Sequence, residues 1–254
     1  MILEEFDKEK KAVINPSDLR KKIENMPEVA VACFASDLFQ SIVDGGKCTK
    51  IGILPSPNLK RPIYEIEYKG KKLALFMIGV GSPLASMDLE EMHVMGCEKF
   101  VVFGNCGVLE DMDDCSIIIP NKAIRDEGTS YHYKKASRTI ELNKKYNKEF
   151  KEILEDFGYP YKEGTTWTTD AFYRETKEKV NKRKEEGAIT VEMESSALQA
   201  VADFRGFDFF TFFYAGDNLS TPKWEQRSLS NEVKLDEKSQ IAYLALELAF
   251  KMSK

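Results

Sequence analysis

Five short stretches of this chain consist almost wholly of apolar side chains: residues 29–34, 73–78, 100–103, 117–119 and 209–214. A strand with one wet face alternates apolar and polar residues. A short run with no alternation reads as a strand buried on both faces, which requires helices above and below the sheet. The segments between the runs supply those helices. Ala85, Leu89, Met92 and His93 recur at helical spacing up to Gly96, and Tyr146, Phe150, Ile153 and Leu154 form one face of residues 143–157, closed by Gly158. A further helix runs from Ser195 to Arg205-Gly206, and another spans residues 236–250. Strands alternating with helices predict a single α/β domain, 1–254, around a mostly parallel central sheet.

The remaining segments are read more lightly. Residues 63–68 alternate, Lys69-Gly70 turns, and the apolar run 73–78 returns as the inner strand of a hairpin. Residues 51–54 and 165–169 are short β-rich pieces, and Pro120 is expected to stop the strand 117–119. Residues 125–133 (Arg-Asp-Glu-Gly-Thr-Ser-Tyr-His-Tyr) read as a polar loop, and 174–186 as a helix with a solvated charged face. Residues 1–27 form a polar extension, with Asn15-Pro16-Ser17-Asp18 capping a short helix.

Composition narrows the function classes. Among 254 residues, 37 basic against 42 acidic side chains leave a net charge of −5, with no basic stripe for a nucleic acid. A single nucleotide or nucleoside stays open, because a local site need not share the overall sign. Five cysteines, odd in number and without a C-x-x-C pair, read as reduced thiols of a cytoplasmic protein. The charged N-terminus is not a signal peptide, and no apolar run nears the roughly 18 residues of a membrane span. The two histidines, His93 and His132, have no thiols at zinc spacing, so no metal is expected.

Residues 79–81, 104–107, 170–172, 192–194 and 216–217 all fall at the C-terminal ends of predicted strands, the edge at which open α/β sheets bind ligands. In Val191-Glu192-Met193-Glu194-Ser195, an extended backbone puts both acids on one side, where they can chelate neighbouring sugar hydroxyls. The same acids also suit the N-terminus of the following helix, where the dipole favours negative charge. Gly79-Val80-Gly81-Ser82-Pro83 allows close backbone approach to a ligand, or is a plain tight turn into a helix.

Four motifs in register turn these possibilities into a resemblance. Val191-Glu192-Met193-Glu194-Ser195 is similar to the V-E-M-E-[AS] signature of trimeric and hexameric nucleoside phosphorylases, relatives of uridine phosphorylase and the methylthioadenosine nucleosidases. Gly104-Asn105-Cys106-Gly107 resembles their G-[ST]-[CT]-G loop, Thr169-Asp170-Ala171-Phe172-Tyr173 their [SA]-D-x-F-Y segment, and Ala215-Gly216-Asp217 the S-D of purine members. The resemblance runs from about Val29 to the C-terminus.

It implies a three-layer αβα sandwich with a mixed, mostly parallel sheet, and a homo-oligomer (dimer, trimer or hexamer) whose subunits share active sites. It implies phosphorolysis of a purine nucleoside to free base and ribose 1-phosphate, with phosphate as co-substrate and no other cofactor. Glu194 and the Met193 backbone would hold the ribose, with Glu192 beside them and His132 as the candidate 5′-hydroxyl contact. Phe172, Val191, Cys106 and Gly107 would meet the base, and Asp217 would protonate purine N7.

Two departures bear on the nucleophile. The family's arginine two residues before the glycine loop is Val102 here, and its G-D-P-x-R segment is replaced by Ala35-Ser36-Asp37-Leu38-Phe39. Arginine is the usual bidentate phosphate ligand. Its replacements as phosphate ligands are Arg61, from this chain or a neighbouring subunit, and the amides of Gly81 and Asn105. Hydrolysis by water is therefore the alternative, with Asp37 near the place of the nucleosidases' glutamate. A non-catalytic binding relative is the third reading.

Overall fold

The computed structural model describes residues 2–56, 59–230 and 233–254. Strand β1 (Val29–Cys33), wholly buried, lies between β4 (Lys71–Met77) and β5 (Lys99–Val108) and runs parallel to both. Its side chains divide by parity, as a strand must. Val29, Val31 and Cys33 enter one core with α2 (Ser36–Gly45), α5 (Asn147–Asp156) and α8 (Leu235–Met252). Ala30 and Ala32 enter the other with α3 (Ser82–Met95) and α7 (Ser195–Arg205). Helices therefore cover both faces of the sheet, and the αβα sandwich expected from the apolar runs is present.

The hairpin predicted around Lys69-Gly70 forms one end of the sheet. There β3 (Leu59–Tyr68) pairs antiparallel with β4 and with β2 (Cys48–Ser56). At the other end the sheet closes on itself. β10 (Asp208–Asn218) pairs parallel with β5 and antiparallel with β6 (Ile117–Asp126). β6 pairs with β8 (Tyr161–Thr169), β8 with β9 (Ala188–Glu192), and β9 returns to β5 through Gly107 and Val191. The end of β5 thus meets β9 on one side and β10 on the other, and brings three of the predicted ligand-edge stretches together. Beneath it Phe103 stacks on Phe212 with centroids 5.5 Å apart, and Phe150 packs on Phe212 at 4.5 Å. Truncating such a buried ring to alanine typically costs about 3–5 kcal/mol.

The structure departs from the sequence reading at several places. Gly104–Gly107 and Gly216–Asp217 are not loops but the ends of β5 and β10, with a bulge between Ala215 and Asp217. These glycines answer to tertiary approach: a Cβ on Gly107 would stand 2.6 Å from Leu219, and one on Gly104 2.7 Å from Phe34. Pro120 does not stop β6, which passes through it with a register shift against β8 between Pro120 and Lys122. Residues 125–133 are not a loop either, since they hold the end of β6 and the one-turn α4 (Ser130–Tyr133). Arg125 is buried there and donates to Ser130, Ser137 and the carbonyls of Lys134 and Lys135. Helix α5 begins four residues later than expected, because Asn143 and Tyr146 adopt positive φ, and β7 (Thr139–Glu141) precedes it as an edge strand. The remaining helices are α1 (Pro16–Leu19) in the N-terminal extension and α6 (Lys177–Glu185) before β9. No helix among the described residues is long and apolar enough to cross a membrane.

Candidate active site

The acids of the V-E-M-E-S stretch take different tasks. Glu192 ends β9, and its Oε1 accepts from Thr168 Oγ1 at 2.5 Å. Its Oε2 accepts from the backbone N–H groups of Glu194 (2.8 Å) and Ser195 (2.7 Å). This carboxyl therefore caps α7, and the helix-start reading holds for it. Glu194 occupies the N-cap position, turned out of strand geometry, and its Oε1 accepts from the Gly81 N–H at 2.6 Å. Ser82 Oγ donates to the Met193 carbonyl at 2.7 Å. The N-termini of α3 and α7 thus meet across this seam, and Ser196 Oγ extends the network to Glu127 at 2.8 Å.

Burial pushes both carboxyls upward. In Glu192 the bonds from Thr168 and the helix N-terminus oppose it. In Glu194 burial leads, the Glu192 charge adds to it, and the group is pushed up to about 8.

Across a cavity of about 160 Å³ lies the second group of residues. The bulge at Gly216 brings Asp217 opposite Gly107 in the β5 register. Asp217 is buried, and its Oδ2 accepts from the Trp224 indole N–H at 2.7 Å. Burial raises its proton affinity, partly offset by that bond and by the charge of Arg227. Val191, Cys106 and Gly107 line the same cavity, and Phe172 stands at its rim, edge-on to Tyr173. The Cys106 thiol is driven well above its ordinary value by burial and by Asp217 and Glu192, so it is a neutral wall rather than a nucleophile.

Nine predicted residues converge here: Asn105, Cys106, Gly107, Phe172, Val191, Glu192, Met193, Glu194 and Asp217. Gly81 sits behind the seam, and its amide is spent on Glu194 rather than free for an anion. Asn105 uses its side-chain amide on the Leu229 carbonyl at 3.3 Å. Arg61 is not brought to the cavity. It is buried, donates to both Asp88 carboxylate oxygens and to the Met77 carbonyl, and Asp88 in turn accepts from Gly79 N–H. Its charge is thereby neutralised inside the fold. His132 is exposed on α4, away from the cavity, and Asp37 is exposed in the first turn of α2. Neither stands among the lining residues.

The sequence reading missed Phe34, Val80, Glu175 and Leu229 in the lining, and Trp224 on Asp217. Glu175 carried a faint signal, three residues after Phe172. It is half-buried, and burial together with the Asp217 charge pushes it up to about 7. A larger hollow of about 470 Å³ between α2, β3 and α8 brings together no comparable set of acids. No cluster of three or more histidine, cysteine or acidic side chains among the described residues could hold a metal.

Residues 29–249 match the family model of the phosphorylase superfamily. The chain is 29% identical over 154 residues to a guanosine phosphorylase of Halorubrum lacusprofundi, covering 60% of this chain and 64% of that protein, just under two thirds of its length. It is 28% identical over 163 residues to a purine nucleoside phosphorylase of Colwellia psychrerythraea (62% and 69% covered). In structure it is similar to uridine phosphorylase of Vibrio fischeri, with a TM-score of 0.76 at 20% identity over 95% of this chain and 99% of that one. At that identity the likeness speaks for the fold. The match across residues 29–249 settles the family: this chain belongs to the phosphorylase superfamily.

Proposed function

We propose that this protein cleaves the N-glycosidic bond of a purine nucleoside. One observation carries the reading: Met193 and Glu194 face Asp217 and Phe172 across a single cavity, a sugar clamp opposite a buried acid. Breaking the C1′–N bond gives the ribose oxocarbenium character while the bonding electrons flow into the base. A proton from Asp217 to purine N7 neutralises that charge, an effect typically worth about 10²–10⁴ in rate. Glu194 and the Met193 amide hold the ribose hydroxyls, and Phe172 packs on the base. The names of the relatives support phosphate as the acceptor, giving ribose 1-phosphate. The exposed apolar rim of Val80, Tyr173 and Trp224 supports a homo-oligomer in which a neighbouring subunit covers the site. Five free cysteines suit a cytoplasmic protein.

A second reading, hydrolysis by water, is favoured by the charge of the cavity. Among its described lining residues are four carboxyls and no lysine, arginine or histidine, and Arg61 is already paired with Asp88. A phosphate dianion needs a cation from elsewhere, whereas water does not. Incubation with inosine, adenosine, uridine and methylthioadenosine, each with and without phosphate, separates the readings. Base with ribose 1-phosphate establishes phosphorolysis, and free ribose in both buffers establishes hydrolysis. Release from uridine alone overturns the purine assignment. No release from any of the four overturns the enzymatic reading in favour of a binding protein.

A further inference from the structure

The segment after β10 doubles back on itself. Asn218 and Glu225 exchange backbone hydrogen bonds of 2.9 and 3.1 Å, and Asn218 Oδ1 accepts from the Ser220 N–H and hydroxyl at 2.8 and 2.7 Å. This closed turn returns Trp224 over Asp217, with its N–H on Oδ2 while half of the residue stays in solvent. A tryptophan there for packing alone would sink its ring into the core, and this one does not.

The chemistry of the indole fixes the acid's proton. An indole N–H only donates, and it bonds best to an oxygen that bears no hydrogen, so a protonated carboxyl places its hydrogen on the other oxygen. The hydrogen then sits on Oδ1, the oxygen facing Gly107, where it stands 3.2 Å from the position a Cβ would take. Glu175 lines the same cavity, just past Phe172. We propose that Trp224 is a positioning residue for Asp217: the indole holds Oδ2 as the accepting oxygen and directs the acid proton onto Oδ1, toward Gly107. This rests on Asp217 as the acid of the proposed reaction. In the step, the proton on Oδ1 moves to the base nitrogen, the C1′–N electron pair goes to the base, and the acceptor oxygen bonds to C1′. The carboxylate left behind keeps the Trp224 hydrogen bond. A proton from the acceptor water, or from solvent, restores the acid.

The surrounding groups set the direction of each effect. Arg227, from the same loop as Trp224, acts on Asp217 by its charge, and Cys106 from β5 is a neutral thiol raised by burial and by the charges of Asp217 and Glu192. Arg227 is turned to Glu225 at 3.1 Å and the Met112 carbonyl at 2.6 Å. Glu175 faces Asp217 and, from α6, Lys179. The Trp224 bond favours ionised Asp217. Its removal therefore moves the basic limb of kcat, which reports ionisation of the acid in the complex, to higher pH.

The test compares wild type and Trp224→Phe on inosine and on 7-methylguanosine, whose N7 is already methylated and cationic and needs no proton to leave. Trp224→Phe moves the basic limb to higher pH. It also costs inosine turnover at least about fivefold more than 7-methylguanosine turnover, the worth of one hydrogen bond in the transition state. Carbon-13 titration of the Asp217 carboxyl reads the same upward shift without turnover. A downward shift, an unmoved titration, or equal losses on both nucleosides overturn the proposal. An upward shift in a protein that cleaves no nucleoside upholds the carboxyl arrangement and overturns the functional reading.

Discussion

The two walls of the cavity are built differently. The proposed sugar wall is made of secondary-structure ends locked together: Glu192 on the α7 N-terminus, Glu194 on the Gly81 amide, Ser82 on the Met193 carbonyl, with all three side chains nearly inaccessible to water. The proposed base wall sets buried strand ends, Cys106, Val191 and Asp217, beneath two exposed rings, Phe172 at 38% and Trp224 at 53%. For the proposed substrate, a preorganised sugar clamp would suit the part of a nucleoside that does not vary, and would orient C1′ before reaction. A looser base wall admits different bases and closes on them.

Replacing Glu194 with alanine breaks the rigid wall where it meets substrate. The expected result is a KM raised about three- to tenfold at neutral pH, because a hydrogen bond of a protonated carboxyl contributes ~0.5–1.5 kcal/mol. Steady-state kinetics checks this, and unaltered KM and kcat remove Glu194 from the site.

The rigid wall also carries a cost that pH exposes. Glu194 is held up to about 8 and Glu175 to about 7, both above the 4.5 of a free glutamate. Between those limits the unfolded chain binds fewer protons than the native one, so stability is full below about pH 4.5 for these groups and is lost as pH rises toward 8. Calorimetry from pH 5 to 8 should show the melting temperature falling by about 4 °C or more, at ~2–4 °C per kcal/mol. Glu194→Gln, neutral throughout, should flatten most of that slope. An equal slope in the variant would place the strain elsewhere.

On the looser wall the expected effect is smallest. Phe172→Ala should raise KM about threefold and leave the melting temperature nearly unchanged, since exposed substitutions typically stay within about 0.5 kcal/mol. A large loss of stability would show that the base wall is as rigid as its opposite.

The same contrast explains what was legible in the sequence. β1, β4 and β10 were legible because a strand covered on both faces leaves no polar position to confuse the pattern. α7 was legible from its small residues and the glycine after it. The glycine stretches were misread as loops, because the closeness of Phe34 to Gly104 and of Leu219 to Gly107 is a tertiary fact. Helix α2 went unread inside the stretch where an arginine was sought. Arg61 looked like a free cation, and Asp88, 27 residues on, has no visible tie to it until β3 and α3 are packed together. Glu192 and Glu194 offered a helix start or a sugar clamp; the structure gives Glu192 the helix start and sets Glu194 in the cavity lining. Trp224 was invisible because it reaches Asp217 only through the closed turn at Asn218 and Glu225.

The central claim is that Asp217 is the acid that releases the base. The most direct measurement is base release from inosine by wild type and Asp217→Asn, with folding of the variant checked by circular dichroism. The amide keeps the shape of the side chain but has no acid proton to give. Turnover is expected to fall by at least about tenfold, toward the ~10²–10⁴ of general-acid catalysis, in a folded variant. Unchanged turnover by a folded Asp217→Asn protein would contradict it.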